Sequence, residues 1–234
     1  MKWKSALLIA LGSGFLAGQS PAHEARGKIQ IFVDTTTFHD YNLASINNYV
    51  FTDKAKDQVG IGLRFVADFP DAPNWGLELG GRFPQRSKFQ LNGSGGGWSI
   101  DNMETKLRYS WWSVGLGYAL RPSSSFEIAF HLEGRGENLK VEGATTATSG
   151  GVTTQYPASQ GVNFWRPWAR ISAEFSLPSS GRTWAPHFGA DVSGALKNTT
   201  QDGVQLLSDS IHNDTTLKSM GPRWEASVYA GIQF

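Results

Sequence analysis

RWEASVYAGIQF, residues 223–234, alternates almost without a fault: Trp224, Ala226, Val228, Ala230, Ile232 and Phe234 fall on one face, Arg223, Glu225, Ser227, Tyr229, Gly231 and Gln233 on the other. Successive side chains of a strand point to opposite sides, so this is a strand with one apolar and one polar face. A half-buried strand of a soluble protein reads the same way. What decides between the two is whether the rest of the chain repeats the pattern, and how the chain begins.

It begins with the marks of export. Lys2 and Lys4 make a short positive start, Ala6 to Leu16 is an apolar run of h-region length, and Ser20-Pro21-Ala22 suits cleavage after Ala22. Residues 1–22 are therefore read as a signal peptide and 23–234 as the mature domain, and the apolar run is too short to span a bilayer as a helix. Without Lys2 and Lys4 the 21 basic residues become 19, against 20 acidic ones. A chain so balanced carries no electrostatic footprint for nucleic acid. There is no Cys, hence no disulfide framework, lipid-attachment cysteine or thiolate metal site. No apolar run of transmembrane-helix length occurs, but a membrane β-barrel escapes that test, because only alternate residues face lipid. The 14 Phe, 9 Trp and 27 Gly suit such a barrel.

Eight alternating segments can be followed along the chain. The first, about 28–38, puts Ile29, Ile31, Val33 and Thr35 on one face, and a loop covers 39–57. In 58–69, Val59, Ile61, Leu63, Phe65, Ala67 and Phe69 point outward and Gly60, Gly62, Arg64 and Asp68 inward; Pro70 to Asn74 is a turn by composition. The third starts at Trp75 and ends in a glycine-rich loop, 92–101. The fourth, 104–121, sets Trp112, Val114, Leu116, Tyr118 and Leu120 out of phase with Leu107 and Tyr109, which predicts a β-bulge near Trp111-Trp112. The fifth, 126–141, is followed by a Thr/Ser/Gly loop over 144–161. The sixth, 163–177, and the seventh, 184–199, lead through the loop 201–222 to the opening stretch. Connections alternate long and short, as in an all-β, up-and-down, antiparallel, eight-stranded transmembrane barrel with short turns on one side and long loops on the other.

Aromatic placement supports two girdles. Phe69, Trp75, Phe126, Trp184 and Phe234 would lie at the periplasmic rim, and Tyr109, Trp111, Trp112, Trp165 and Trp168 at the outer one. Pro84 and Pro167 lack a ladder donor and are expected near the extracellular rim, where pairing loosens. A soluble β-sandwich or lipocalin-like barrel would need a reason to carry bulky apolar residues on its outside.

On strand number, loop asymmetry and the terminal Val228 to Phe234, the chain resembles the eight-stranded outer-membrane barrels, the group of the OmpA transmembrane domain, OmpX and OmpW, over residues 27–234. The resemblance implies residence in the outer membrane, contact with its lipid and lipopolysaccharide, a monomeric state, and recognition of Phe234 by the barrel assembly machinery.

The inward faces are charged: Arg64, Glu78, Arg82, Arg108, Glu127, Glu133, Arg135, Arg170, Glu174, Asp191 and Glu225. Eight strands enclose only enough room for side chains, so these charges are expected to pair and plug the lumen. A narrow or gated conduit is the alternative. A lipid-modifying enzyme would need a nucleophile against a base. His131 and His187 face the lumen, yet neither has a Ser beside it on its own strand face in hydrolase spacing, so no catalytic residue is assigned. The run Gly93 to Gly97 lacks the Lys-Ser/Thr of a phosphate loop, Asp202, Asp209 and Asp214 lack calcium-loop spacing, and neither a cofactor nor a metal is expected. The reading is a structural or surface-interaction barrel whose long extracellular loops carry any specificity.

Overall fold

The computed structural model describes residues 26–37, 50–51, 57–95, 98–149, 152–178, 183–197, 204–205, 216–217 and 221–234; over 50–51, 89–95, 98–105, 141, 143–149, 152–162, 204–205 and 216–217 the backbone alone is described. The expected signal segment 1–22 and most of the connections 39–57 and 201–222 lie outside the described residues.

Eight long strands make the wall: β1 Gly27–Thr37, β2 Gln58–Phe69, β3 Ala72–Gly95, β4 Trp98–Ser123, β5 Phe126–Ser149, β6 Val152–Ser176, β7 Ala185–Ala195 and β8 Trp224–Gln233. Each is antiparallel to the next. The ring closes where β1 meets β8, from Lys28 opposite Gln233 to Thr37 opposite Trp224. Closure leaves the wall without an edge strand. The outward faces are mostly bulky and apolar, while the inward faces mix small, polar and charged residues with a set of buried rings and leucines; on β8, Glu225, Ser227 and Tyr229 are buried while Trp224, Val228 and Ile232 are exposed. The outside is thus an apolar belt, with Ile31, Val59, Leu132, Ile171, Val192 and Val228 all more than half exposed.

Two features differ from the sequence reading, the length of the ladders and the place of the bulge. The stretches 92–101 and 144–161, read as loops, continue as ladders: β3 and β4 stay paired to Gly95 opposite Trp98, and β5 and β6 to Ser149 opposite Val152. Once the barrel holds two arms in register, each further pair adds backbone hydrogen bonds without a new closure cost, so a Thr/Ser/Gly composition suffices. The outer connections also hold short ladders, Val50–Phe51 against Ser94–Gly93 and Val204–Gln205 against Thr216–Leu217.

The bulge is not at Trp111-Trp112. It lies across from them on β3, where Arg82 pairs with Trp111 but Gln85 with Tyr109, so that Phe83 and Pro84 share one place in the ladder. Pro84 has no N–H to give, and an extra residue is how a ladder steps past it. Pro167 falls where β6 parts from β7, whose pairing begins at Trp168 opposite Ala195.

Candidate functional site

The inward faces fill the barrel. Its centre is a column of rings and guanidinium groups in alternation: Arg64 lies 4.2 Å over the Phe32 ring, Phe32 stacks on Trp111 at 5.6 Å, Arg135 sits 4.1 Å from both Trp111 and Trp168, and Arg166 covers Trp168 at 5.1 Å. Five strands contribute to it, so it crosses the lumen from wall to wall. A guanidinium is planar and weakly hydrated, and an aromatic face is a site where it can leave water.

Carboxylates neutralise the column. Arg135 donates to Glu133 at 3.0 Å and Glu225 at 2.5 Å, Arg64 to Asp191 at 2.5 Å, and Arg166 to Glu137 at 2.5 Å. Arg170 bonds Glu78 and lies 3.5 Å from Glu133 and 3.6 Å from Asp191. Above, Arg82 grips both oxygens of Asp34 at 3.0 and 2.9 Å and donates to Gln58. Below, Lys28 joins Glu127 at 2.8 Å and Glu174 at 2.7 Å, and Arg121 ties Glu127 to Asp68. Burying a charge is tolerable only with a partner in place, and each of these has one.

Of the eleven charges named from the sequence, Arg64, Glu78, Arg82, Glu133, Arg135, Arg170, Glu174, Asp191 and Glu225 are buried in the lumen and Glu127 is half-buried at its lower end. Arg108 is a correction: it points out. The phase of β4 is unbroken, with Leu107, Tyr109, Trp111 and Ser113 all buried, so the intervening Lys106, Arg108, Ser110 and Trp112 face outward. The same fact moves Tyr109 and Trp111 from the expected outer girdle to the lumen. Trp168 moves with them, since β6 turns its even residues inward and Trp168 is fully buried. Of the other expected girdle residues, Phe69, Trp75, Trp112, Trp165, Trp184 and Phe234 are exposed and Phe126 is half-buried. Phe234 exchanges backbone hydrogen bonds with Gly27 at 2.8 and 2.9 Å.

The sequence reading missed Lys28, Asp34, Gln58, Arg121, Glu137 and Arg166. All six lie on strands whose alternation had been read, and counting by twos from Arg64, Arg135 and Arg170 reaches three of them, Gln58, Glu137 and Arg166. It also missed a neighbour of His131. Nε2 of His131 lies 3.2 Å from Ser172 Oγ, on the adjacent strand, and Nδ1 lies 3.0 Å from Glu78 Oε2. That order of groups is the one a hydrolase uses. Here Ser172 is buried and Glu78 is shared with Arg170, so the trio is part of the packed lumen rather than the wall of a cleft.

A cleft of about 330 Å³ does open, at the outer end of the wall. Arg82, Trp111, Glu137 and Phe164 line it from within, and Pro84, Ser110, Trp112, Asn138, Asn163 and Trp165 from outside. Trp112 and Trp165 meet edge to face at 4.7 Å across Gly136, where any Cβ would strike the Trp112 indole at 2.5 Å. Asn138 donates to Asn163 at 2.6 Å just above them.

No protein-family model and no curated protein matches the sequence. Among solved structures the chain is similar to the outer membrane protein OprG from Pseudomonas aeruginosa, with a TM-score of 0.56 and 14% identity over 90% of this chain and 96% of that one. It is also similar to a major outer membrane protein from Thermus thermophilus (TM-score 0.47, 12% identity, 91% and 99% covered). A third likeness is to Ail, the attachment invasion locus protein of Yersinia pestis (TM-score 0.44, 11% identity, 91% and 100% covered). With its closed ring of eight antiparallel strands and its likeness to OprG, the chain has the fold of the eight-stranded outer-membrane β-barrels.

Proposed function

We propose that this chain is an integral outer-membrane barrel with a sealed lumen, working as a structural or surface-interaction protein through the paired strands and connections at its extracellular end. The apolar belt supports the membrane setting, since a soluble protein rarely exposes so large an apolar area. The observation that carries the sealed lumen is the column from Arg64 through Phe32, Trp111, Arg135 and Trp168 to Arg166. Outer-membrane lipid and lipopolysaccharide are the partners this reading implies, with the barrel acting as a monomer.

Planar-bilayer recording on refolded protein tests it. A silent wild type is expected. Reproducible conductance steps that disappear on Arg82→Ala or Glu133→Ala would replace the plug with a conduit. That second reading, a narrow path for small or hydrophobic solutes, has one observation in its favour: the cleft beside Pro84 is lined from both sides of the wall.

A further inference from the structure

His131 and His187 both face the lumen, and they are treated differently there. His131 lies 3.2 Å from Ser172 and 3.0 Å from Glu78, one at each ring nitrogen. His187, on β7, is 2% exposed, and neither of its ring nitrogens has a hydrogen-bond partner among the described residues. Leaving buried polar atoms unpaired costs stability, and shape does not explain the choice. The ring lies over Gly231 of β8, where a Cβ would come within 2.8 Å of its Cε1 and Nε2, and it meets Tyr229 edge to face at 6.4 Å. A phenyl ring would fill that space without unpaired atoms, as Phe32 does over Gly62. What an imidazole alone adds is the capacity to gain a charge near neutrality.

That charge would arrive close to where the ring of strands closes. His187 stands opposite Gly231 of β8 on one side and Ser176 of β6 on the other. The carboxylate within reach is Glu174 of β6, whose Oε2 lies 3.8 Å from Nε2, beyond a hydrogen bond. Glu174 is already occupied: it accepts from Lys28 at 2.7 Å and from Gln30 at 3.1 Å, both on β1. It therefore reaches past β7 and β8 and ties β6 to the first strand from inside. The other charged and titratable groups around the ring are Tyr229 on β8, Lys28 on β1, Glu127 on β5, which Lys28 and Arg121 hold, and Asp191 farther along β7, which Arg64 holds. Every carboxylate among them has a cation.

We infer that His187 is an acid sensor for the lower mouth of the barrel. Uncharged, it leaves Glu174 to Lys28 and Gln30, and β6 stays tied to β1. A proton enters from the mouth, where Glu127 is half-buried, and the imidazolium then needs a partner. Closing the 3.8 Å gap by roughly 1 Å brings Glu174 into hydrogen-bond range. The charge-assisted bond formed there draws Glu174 away from β1, while Lys28 keeps Glu127. A tie across the closing seam is thus exchanged for one between β6 and β7, which their ladder already joins. Acid loosens the closure from inside and leaves the backbone ladders in place. One carboxylate with two arrangements, selected by one proton, is what a pH switch requires. On the outer-membrane reading the short turns face the periplasm, and the acidity sensed is that of the periplasm.

Urea unfolding of the refolded chain across pH, beside His187→Phe, tests the sensor. The phenyl keeps a ring over Gly231 and cannot be charged. A charge entering a site without a free acceptor weakens the folded state. Below about pH 6.5, where an imidazole in water takes a proton, the folding equilibrium of wild type should fall relative to His187→Phe, by up to about tenfold per pH unit, the linkage of one proton. Parallel pH profiles overturn the sensor. Carbon-13 signals of the His187 ring, assigned by their absence in His187→Phe or, should that variant not refold, in His187→Gln, read the exchange. In wild type they should move on acidification while the barrel stays folded, and in Glu174→Gln the movement should shift to lower pH, because the acceptor is gone. Identical titrations overturn the exchange, and a wild-type ring whose signals stay fixed down to about pH 4.5, where carboxylates begin to protonate, overturns the sensor. Heat-modifiable migration on a detergent gel reads the barrel separately. A lost gel shift refutes the outer-membrane reading, whereas an intact shift with a fixed ring refutes the sensor alone.

Discussion

The two faces of β4 carry charge in opposite ways. Inside, Leu107, Tyr109, Trp111 and Ser113 border a lumen where, among the described residues, each buried guanidinium has a carboxylate or a ring against it. Outside, one residue out of step, Lys106 and Arg108 stand beside Arg86 and Lys140, and Lys140 alone of these four holds a carboxylate, Glu142, among the described residues. The difference teaches what each charge is for. A buried charge must find its partner within the fold, whereas an exposed cluster of one sign costs little in water and keeps its field for something that arrives from outside.

If that contrast is right, substitutions should fall into two classes. The largest effect is expected from Arg135→Ala, which strands Glu225, leaves Glu133 to Arg170 alone and empties the space between Trp111 and Trp168. Removing one partner of a buried pair costs about 3–5 kcal/mol, read as a fall in the urea midpoint of unfolding from vesicles; a variant as stable as wild type would break the account of the lumen. Gly62→Val comes next. A Cβ there would lie 2.2 Å from the Phe32 ring and 2.3 Å from the Gly81 carbonyl oxygen, so backbone as well as side chain must move. Overpacking of that kind costs about 1–3 kcal/mol, and an unchanged midpoint would mean that the column tolerates displacement.

The outer face should respond less. Trp112→Ala loses the edge-to-face contact with Trp165, worth about 0.5–1.5 kcal/mol beyond the area lost, and loss of the Trp fluorescence shift on vesicle binding would locate that contact at the interface. Arg108→Gln should change stability by no more than about 0.5 kcal/mol. A large destabilisation there would show that the outer cations are structural after all and would erase the contrast.

Much of the wall was legible because strand alternation is a strict rule of two, and it holds on β2, β7 and β8 from end to end. What misled the reading was the assumption that apolar means outward. Tyr109, Trp111 and Trp168 are apolar and inward, because arginines in a closed lumen need flat faces as much as carboxylates. Leu107 and Tyr109, taken as outward, forced an imaginary bulge into β4 and carried Arg108 to the wrong side. The true irregularity, at Phe83 and Pro84, was marked by the proline itself. Ser172 beside His131 was out of reach for a different reason: the two belong to different strands, and the contact depends on a register that no single strand reveals.

The partners in the lumen are far apart in the chain: Arg64 and Asp191 are separated by 127 positions, and Lys28 and Glu174 by 146. A sheet of four or five strands from either end would therefore face lipid with naked charges on its inner side. Such an intermediate has no stable place within the hydrocarbon, so the strands cannot enter one after another. On the proposed outer-membrane reading, insertion would wait until β1 meets β8, or proceed inside something that keeps the unfinished side wet, and the lumen would act as a proofreader that admits only complete rings.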